Sequence, residues 1–455
     1  MQIFAPVTAA QSQHRQRIAA AALDAAGFVE GDRVAVVAHN DPDVLALALG
    51  ALRTGIVPVM VNPDLTGAEQ TVILNDCGAR RIVTDASLGE FLDPGILSGW
   101  HGVLADAPLA RPMHYTSGTT GKPKGVWSGV LSATDARALL REERELWGFV
   151  DSDVNLMCSP MYHSAPLRFA TGTLLAGGSV VVLQKFSPEL AAEAITTHNI
   201  TSAFMAPAHL QRIFSLPVDA RPSFATFRLL AHAGAPCPPT LKRQAIDAFP
   251  AGTVWEFYGS TEGQFTACSS EDWLRRPGSV GRARPGRTMH VDPETGVLWC
   301  RVPSYARFEY WMDPVKTSSA WRDDAFSVFD IGRIDEEGFV FLDGRRDDLL
   351  ISGGVNVYPL EVELALVEMP GIAEIAVFGV DDERWGSRVC AAVVAERNDP
   401  PAGKLSERSI GEFAATVLAP YKRPKEIFLV DEIPKSPTGK VKRSSLAADL
   451  GLPRT

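Results

Sequence analysis

Eleven residues in the first third of the chain, Tyr115 to Gly125, are dense in groups that bind phosphate. They include three glycines and four Ser or Thr side chains. Glycines let backbone N–H groups approach phosphate oxygens, and the hydroxyls, Lys122 and Lys124 add further donors. A Walker A loop is excluded because Pro123 follows Lys122 where Ser or Thr is required. The alternative is a flexible surface turn, but so many donors in one segment favour a phosphate-binding loop.

This segment resembles the phosphate-loop signature of the adenylate-forming superfamily, which comprises acyl-CoA synthetases, adenylation domains and luciferases. Similar elements follow in the superfamily's order as far as Lys440. Taken singly, Glu262 could be a surface carboxylate and Lys440 a solvated lysine. The occurrence of all these motifs in the superfamily's order favours membership of the chain in that superfamily. The resemblance implies these nucleotide-binding residues: Thr116, Ser117, Gly118, Thr119, Thr120, Gly121, Lys124, Gly234, Ala235, Pro236, Tyr258, Gly259, Ser260, Asp330 and Arg345.

The resemblance also implies individual roles. Tyr258 would stack on adenine and Asp330 would hold the ribose. Thr261 would contact the α-phosphate, Glu262 would bind Mg²⁺, and Lys440 would be the catalytic lysine of the C-terminal domain. Asp347 would be the interdomain hinge, and the CoA tunnel would be lined by Ser352, Gly353 and Gly354.

The implied chemistry agrees with the residue types. A carboxylate attacks the α-phosphorus of ATP and expels pyrophosphate, and fixed cations and dipoles stabilise the charge that develops on phosphate oxygens. The acyl-adenylate then reacts with the thiol of CoA, so no protein nucleophile is required. The expected activity is that of an acid–thiol ligase, an acyl-CoA synthetase, with ATP, Mg²⁺ and CoA as its cofactors.

Within the superfamily, the chain resembles bacterial ligases for fatty, alicyclic or other bulky acids. The predicted acyl pocket consists of His163, Arg168, Met205, His232, Ala233 and Trp255. His163 could take part in the chemistry, or could equally be a hydrogen-bonded residue of the pocket wall. Arg168 could pair with a second carboxylate of the substrate, although a structural ion pair is the favoured interpretation. No Asp suited to an amino group is evident, which favours a non-amino acid.

Two departures from the family pattern leave alternatives open. The family usually has tens more residues before the first strand, and Phe329 stands before Asp330 where Gly is usual. The first alternative is an enzyme of the thioester half-reaction alone, supplied by an upstream adenylating enzyme. The second is loading of a carrier protein. A silent binder of CoA or acyl-adenylate is a rival from a different class, which the intact Glu262, Asp330, Arg345 and Lys440 disfavour.

The elements that must position these residues alternate between short apolar strands and helices, as in parallel α/β sheets. Strands are predicted at Val57–Val61 and Ser202–Met205, for example, with a helix over Gly67–Asp76. After about residue 290 the pattern changes to strands separated by charged turns, which predicts antiparallel pairing. We therefore predict a large N-terminal domain of doubly wound sheets with a small β-barrel-like subdomain over residues 1–346. A smaller, mobile α+β domain is predicted over 347–455.

Composition and charge limit the possible partners of the protein and its cellular compartment. The net charge of −10 disfavours a nucleic-acid partner. The six cysteines form no CxxC pair, which disfavours zinc ribbons and favours reduced thiols. The first 30 residues lack the apolar run of a signal peptide, and no stretch is long enough to span a membrane. A cytoplasmic protein is expected, with a small carboxylic acid, ATP and CoA as partners and a homodimer left open.

Overall fold

The computed structural model describes residues 2–117, 123–345, 348–352, 355–382, 386–396, 405–435, 441 and 443–451. The first layer of the large domain pairs short strands with helices. Its elements are β1 (Val7–Thr8), α1 (Ala9–Ala25), β2 (Arg33–Val37), α2 (Pro42–Arg53), β3 (Val57–Val61), α3 (Gly67–Asp76), β4 (Arg81–Thr84), α4 (Asp85–Phe91), β5 (Met113–Ser117) and β6 (Pro123–Trp127). A 3₁₀ helix covers Pro94–Gly99.

The second layer repeats this alternation. Its elements are α5 (Ala133–Trp147), β7 (Val154–Met157), α6 (Ser164–Leu175), β8 (Ser179–Val182), α7 (Pro188–His198), β9 (Ser202–Met205), α8 (Pro207–Phe214), β10 (Leu229–His232), α9 (Pro239–Ala248) and β11 (Val254–Glu256). A 3₁₀ helix covers Val218–Ala220.

Mostly antiparallel strands follow. The elements are β12 (Thr266–Ser269), α10 (Ser270–Arg275), β13 (Ser279–Ala283), β14 (Thr288–Val291), β15 (Leu298–Arg301), β16 (Glu309–Tyr310), α11 (Pro314–Ala320), β17 (Trp321–Arg322), β18 (Ala325–Phe326), β19 (Asp330–Ile334) and β20 (Phe339–Arg345). A third 3₁₀ helix covers Ser304–Ala306.

The C-terminal part is smaller. Its elements are β21 (Leu350–Ser352), β22 (Val355–Val357), α12 (Pro359–Leu366), β23 (Ile372–Asp382), β24 (Gly386–Ala395), α13 (Glu407–Val417), β25 (Glu426–Leu429) and α14 (Arg443–Asp449). It forms its own sheet in the order β22-β21-β24-β23, with β25 pairing with β24.

Two large sheets organise the first 345 residues. One has the order β16-β6-β5-β3-β2-β4, and the other has the order β1-β8-β7-β9-β10-β11-β12-β13-β20-β19. Strands β2, β3, β4 and β5 are parallel, as are β7 to β11. Most of their residues are apolar because both faces of a parallel sheet are covered.

Helices α1, α2 and α6 lie between these sheets and share one core with both of them. Ile18, Leu47 and Ala170 from the helices pack there with Val36 of one sheet and Val182 of the other. Helix α1 begins with a capping box in which Thr8 and Gln11 satisfy each other's backbone N–H groups. Helices α7, α8 and α9 cover the outer face of the second sheet.

A smaller sheet, β14-β15-β18-β17, completes the large domain. Its strands meet β6, β16 and β20 around one apolar core that contains Val126, Tyr310, Phe326 and Val340. The predicted fold class, doubly wound α/β with a smaller α+β C-terminal domain, is confirmed. The boundary at residue 347 remains a prediction.

Candidate functional site

Tyr258 and Asp330 form the centre of the predicted nucleotide site. Tyr258 follows the carboxyl end of β11, and Asp330 is the first residue of β19. The Tyr258 hydroxyl donates to Asp330 Oδ2 at 2.6 Å, and both residues are buried. The register of β19 and β20 places Arg345 directly opposite Asp330. Three positions from separate motifs therefore meet at one place.

A tight turn joins Gly259 to Gln264 and presents Thr261 and Glu262. Gly259 and Gln264 form an antiparallel bridge, and Ser260 N–H donates to Gly263 O at 2.8 Å. A Cβ on Gly259 would lie 2.8 Å from Gly263 O and 2.9 Å from the Cα of Gln264. Contacts this close exclude a side chain, so the turn requires glycine at this position.

Glu262 is held by a residue that the sequence analysis did not identify. The Tyr310 hydroxyl donates to Glu262 Oε1 at 2.8 Å, and Glu262 is 7% exposed. The ammonium of Lys124 lies 4.7 Å from the centre of the Tyr310 ring. Tyr310 thus links the predicted metal carboxylate to the strand that follows the phosphate loop. No spacing or motif in the sequence distinguishes Tyr310 from the aromatic residues around it.

The adenine-side loop, Gly234-Ala235-Pro236, leaves the carboxyl end of β10 and is exposed. Ligands of parallel α/β sheets bind beyond the carboxyl ends of the strands. Gly234 has a φ of 94°, and no atom lies within 4 Å of the position a Cβ would take there. The loop and Tyr258 therefore leave room of the kind that a nucleotide base needs.

The predicted phosphate loop joins β5 to β6, which pair antiparallel up to Ser117 and Pro123. Thr116 and Ser117 lie at the end of β5. Ser352 ends β21 and is 2% exposed, and its Oγ has no hydrogen-bond partner among the described residues. These predicted residues lie outside the described part of the chain: Gly118, Thr119, Thr120, Gly121, Asp347, Gly353, Gly354 and Lys440.

The predicted acyl-pocket residues do not form one surface. Met205 packs on the face of the second sheet that α7, α8 and α9 cover. His232 is also fully buried, with its Nε2 at 2.5 Å from Lys242 Nζ of α9. Ala233 and Trp255 belong to an aromatic cluster on the opposite face.

That aromatic cluster is filled by protein side chains. The rings of Phe169 and Phe204 lie 5.9 Å apart, and those of Trp147 and Phe257 lie 5.6 Å apart. His163 caps the start of α6, with its ring 4.7 Å from that of Tyr162. Of the six predicted pocket residues, Arg168 is the one that lines the open cavity described next.

A cavity of about 140 Å³ lies between α5, α6 and the turn that carries Thr261. Its apolar wall includes Leu140, Leu167, Val302 and Phe326. Its polar wall is rich in arginine and includes Arg111, His114, Glu143, Arg168, Gln264, Arg284 and Arg287. Except for Arg168, these polar residues were not predicted, because they are scattered from position 111 to position 287 without a common motif.

Comparison with known proteins shows the family and the fold to which the chain belongs. The profile of the AMP-binding enzyme family matches residues 4–103 and 110–307, and that of the AMP-binding enzyme C-terminal domain matches residues 361–440. The long-chain-fatty-acid–CoA ligase FadD13 of Mycobacterium tuberculosis is 32% identical, with 93% of this chain and 89% of that protein covered. The 2-succinylbenzoate–CoA ligase of Geobacillus kaustophilus shows the same identity and coverage.

Among solved structures, ATP-bound MatB from Rhodopseudomonas palustris superimposes with a TM-score of 0.83 at 30% identity, covering 97% of this chain and 93% of that one. The chain belongs to the family of AMP-binding enzymes. The predicted membership of the adenylate-forming superfamily and the predicted class, an acid–thiol ligase of the acyl-CoA synthetase type, are confirmed. ATP and CoA, the predicted co-substrates, are those of this family of ligases. O-succinylbenzoate CoA synthetase from Bacillus subtilis has been solved in complex with ATP and a magnesium ion.

The described residues fit these groups. Mg²⁺ binds proteins through one or two carboxylates together with substrate phosphates, and Glu262 is a buried carboxylate already oriented by Tyr310. Asp330 is a buried carboxylate that accepts from the Tyr258 hydroxyl, and an acceptor of this kind suits ribose hydroxyls. Among the described residues, no helix combines the length and the apolar character that crossing a membrane requires.

Proposed function

We propose that this chain converts a non-amino carboxylic acid into its CoA thioester through both half-reactions. The observation that carries the proposal is the convergence of Tyr258, Asp330 and Glu262 beside the strands of the phosphate loop. That arrangement supports binding of an adenine nucleotide with its metal next to a reacting carboxylate.

In this proposal each described group performs one task. The Tyr258 ring positions the base, and its hydroxyl keeps Asp330 oriented toward the ribose. Thr261 donates to the α-phosphate, while Glu262 holds Mg²⁺, which neutralises charge on the phosphates. Preorganised donors of this kind stabilise the developing charge without reorganising during the reaction.

The acyl group would occupy the cavity beside Thr261 rather than the filled aromatic face of the sheet. Ser164 and Leu167 of α6 continue this cavity next to His163. Its volume of about 140 Å³ is close to that of cavities of about 150 Å³, which admit benzene. A compact acid with a largely apolar body fits this space.

Lys440 would supply a cation to the first half-reaction, where carboxylate and α-phosphate are both anionic. Removing one such donor typically costs ~10²–10³ in rate. We expect Lys440→Ala to lose pyrophosphate exchange by that factor and to retain thioester formation from supplied acyl-adenylate. The matched control is Lys185→Ala, since Lys185 pairs with Asp64 at 3.3 Å on the surface.

Equal losses in both half-reactions would contradict this role for Lys440. Failure of the wild-type protein to form any acyl-CoA from a broad panel of acids would contradict the proposed function itself. The panel should be read by mass spectrometry, with and without preformed adenylates.

The proposal extends to the cellular compartment of the reaction and to the partners of the protein. All six cysteines carry free thiols, and five of them are buried, which supports a reducing compartment such as the cytoplasm. A homodimer, a carrier-protein acceptor and an upstream adenylating enzyme remain predictions. Size-exclusion chromatography with light scattering would decide the first of them.

A further inference from the structure

The cavity beside Thr261 has an unusually cationic wall for a protein interior. Arg284 donates to Glu142 at 2.8 Å and to Glu143 at 3.0 Å, and its side chain is 2% exposed. Arg287 also pairs with Glu142, and its side chain is 5% exposed. Arg111 donates to the carbonyl oxygen of Arg307 at 2.8 Å. These contacts fix three guanidinium groups around one space.

Arg168 is the fourth guanidinium of this wall, and it differs from the others. Among the described residues it makes no hydrogen bond and has no carboxylate within 4 Å. Burial lowers its pKa, while the charge of Glu143 acts in the opposite direction. Its head group faces the cavity from α6.

The charges of this wall do not balance. Four guanidinium groups face two carboxylates, those of Glu142 and Glu143. His114 adds no charge, since burial lowers its pKa to about 3 and its Nδ1 lies 3.0 Å from the carbonyl of Tyr162. An uncompensated charge inside a protein is costly unless another charge or a hydrogen bond satisfies it.

The wall also contains unused donors. Besides His114 Nε2, four buried nitrogens of this wall have no hydrogen-bond partner among the described residues. They are Arg111 Nε, Gln264 Nε2, Arg284 Nε and Arg287 Nε. Buried donors in native proteins nearly always have an acceptor, which can be a ligand. The same cavity therefore offers both excess positive charge and spare N–H groups.

We propose that this cationic wall is a subsite for a second carboxylate, so that the acid substrate is a dicarboxylic acid. This inference rests on the proposed function and specifies its substrate. The reacting carboxylate lies at the Thr261 end, the apolar body contacts Leu140 and Leu167, and the distal carboxylate accepts from Arg168. A planar guanidinium can donate two parallel hydrogen bonds to a carboxylate, which adds selectivity as well as affinity.

Arg168 gives the sharpest test because it holds no other side chain in place. Arg168→Gln keeps a polar group and removes the charge. Arg168→Lys keeps a positive charge but lacks the planar guanidinium that can donate two parallel hydrogen bonds. Arg137→Gln is the matched control, since Arg137 lies on α5 and pairs with Asp106 at 2.8 Å on the surface. Melting temperatures would establish that all variants are folded.

Substrates should be short α,ω-dicarboxylic acids of four to six carbons, each paired with its monomethyl ester. The ester keeps the length and one carboxylate but removes the second charge. Two readouts are needed: kcat/KM from pyrophosphate exchange, and calorimetric binding in the presence of a non-hydrolysable ATP analogue. We expect at least one diacid to exceed its ester by about 10-fold or more in kcat/KM.

Arg168→Gln should lower that ratio by about 10-fold, mainly through KM, while Arg168→Lys recovers part of it and Arg137→Gln leaves it unchanged. Equal use of diacid and ester by the wild type, or a ratio that Arg168→Gln does not alter, would overturn the inference. Absence of exchange with every acid would count against the proposed function. In that event, diacid binding weakened by Arg168→Gln supports the subsite, whereas no such binding, or equal binding of inorganic phosphate, overturns it.

Discussion

Tyr310 acts on the site through two groups at once. Its hydroxyl donates to Glu262, and its ring receives the ammonium of Lys124. Neither contact involves the substrate directly, so Tyr310 is a positioning residue. Partners that orient a metal-binding carboxylate typically contribute 10–100-fold to metal affinity or activity.

Tyr310→Phe separates these two groups because it removes the hydroxyl and keeps the ring. We expect the Mg²⁺ concentration for half-maximal pyrophosphate exchange to rise by about 10-fold, with a smaller loss of rate at saturating Mg²⁺. Tyr421→Phe, on the surface, is the control. An unchanged Mg²⁺ dependence would show that the hydroxyl does not orient Glu262.

Phe329 has a backbone conformation that side chains rarely adopt. Its φ is 63°, in the left-handed region, and its N–H donates to Ser327 Oγ at 2.9 Å. A non-glycine residue there costs roughly 1–2 kcal/mol. The ring packs against a cluster that includes Trp299 and Ile331, which offsets this cost.

Two substitutions at this position separate backbone strain from packing. Phe329→Ala and Phe329→Gly both remove the ring, but only glycine relieves the strain. We expect the glycine variant to be more stable than the alanine variant by about 1 kcal/mol in urea unfolding. If the alanine variant is equally stable, the left-handed conformation costs little. Pyrophosphate exchange by the folded glycine variant would test whether the ring displaces Asp330.

At the scale of elements, the parallel strands were predicted well, and the reason is physical. Strands buried on both faces read as short apolar runs between turn residues, and Val57–Val61 and Ser202–Met205 match their predicted bounds. Helix α1 was not predicted, because its Ala-rich sequence shows little contrast between faces. The residues from Tyr258 to Glu262 were identified through their motif, although the turn from Gly259 to Gln264 was not predicted. Tyr310 and the arginine wall arise from tertiary contacts that no local pattern encodes.

Gly259→Ala tests how far the turn positions Glu262. The new Cβ would meet Gly263 O at 2.8 Å, so the turn must open. A misplacement of about 1 Å can cost about 10²-fold in a step that depends on alignment. We expect pyrophosphate exchange to fall by 10–100-fold.

Gly411→Ala in α13 is the control for this prediction, since a Cβ there meets nothing within 4 Å. It should leave exchange unchanged and raise stability by up to about 1 kcal/mol. If Gly259→Ala retains wild-type exchange, the turn tolerates the side chain and does not need its observed geometry.

At the scale of the whole molecule, buried histidines couple folding to pH. Burial lowers the pKa of His114 to about 3 and that of His209 to about 4, and lowers the pKa of His232 well below its usual value. Below pH 6.5 the unfolded chain therefore binds protons that the folded chain does not. The contribution of these histidines to the free energy of unfolding is therefore fully present above pH 6.5. It decreases as the pH falls toward their pKa values in the folded state.

Each such histidine should contribute a slope of about 1.4 kcal/mol per pH unit once the pH is well below 6.5. We expect the urea midpoint to decrease from pH 7.5 to 6.0 and more steeply toward pH 5.0. His209→Gln should lower the number of protons taken up on unfolding by about one, because the titrating imidazole is removed. The amide oxygen of glutamine can still accept from Ala206 N–H, as His209 Nδ1 does. A midpoint that is constant over this range would contradict the burial of neutral histidines.

The contact of Tyr358 with the cluster of Val297, Trp299, Ala325 and Ile331 has an optical consequence. Trp299 is 3% exposed, and Tyr358 follows the predicted hinge. If the small domain turns about residue 347 between half-reactions, Tyr358 must leave this cluster and water must reach the indole. Trp299 emission would then shift to longer wavelength when CoA joins the adenylate-bound enzyme, and subtraction of the Trp299→Phe spectrum isolates that signal from the other tryptophans. In that case Trp299 would report the position of the small domain in real time without any added label.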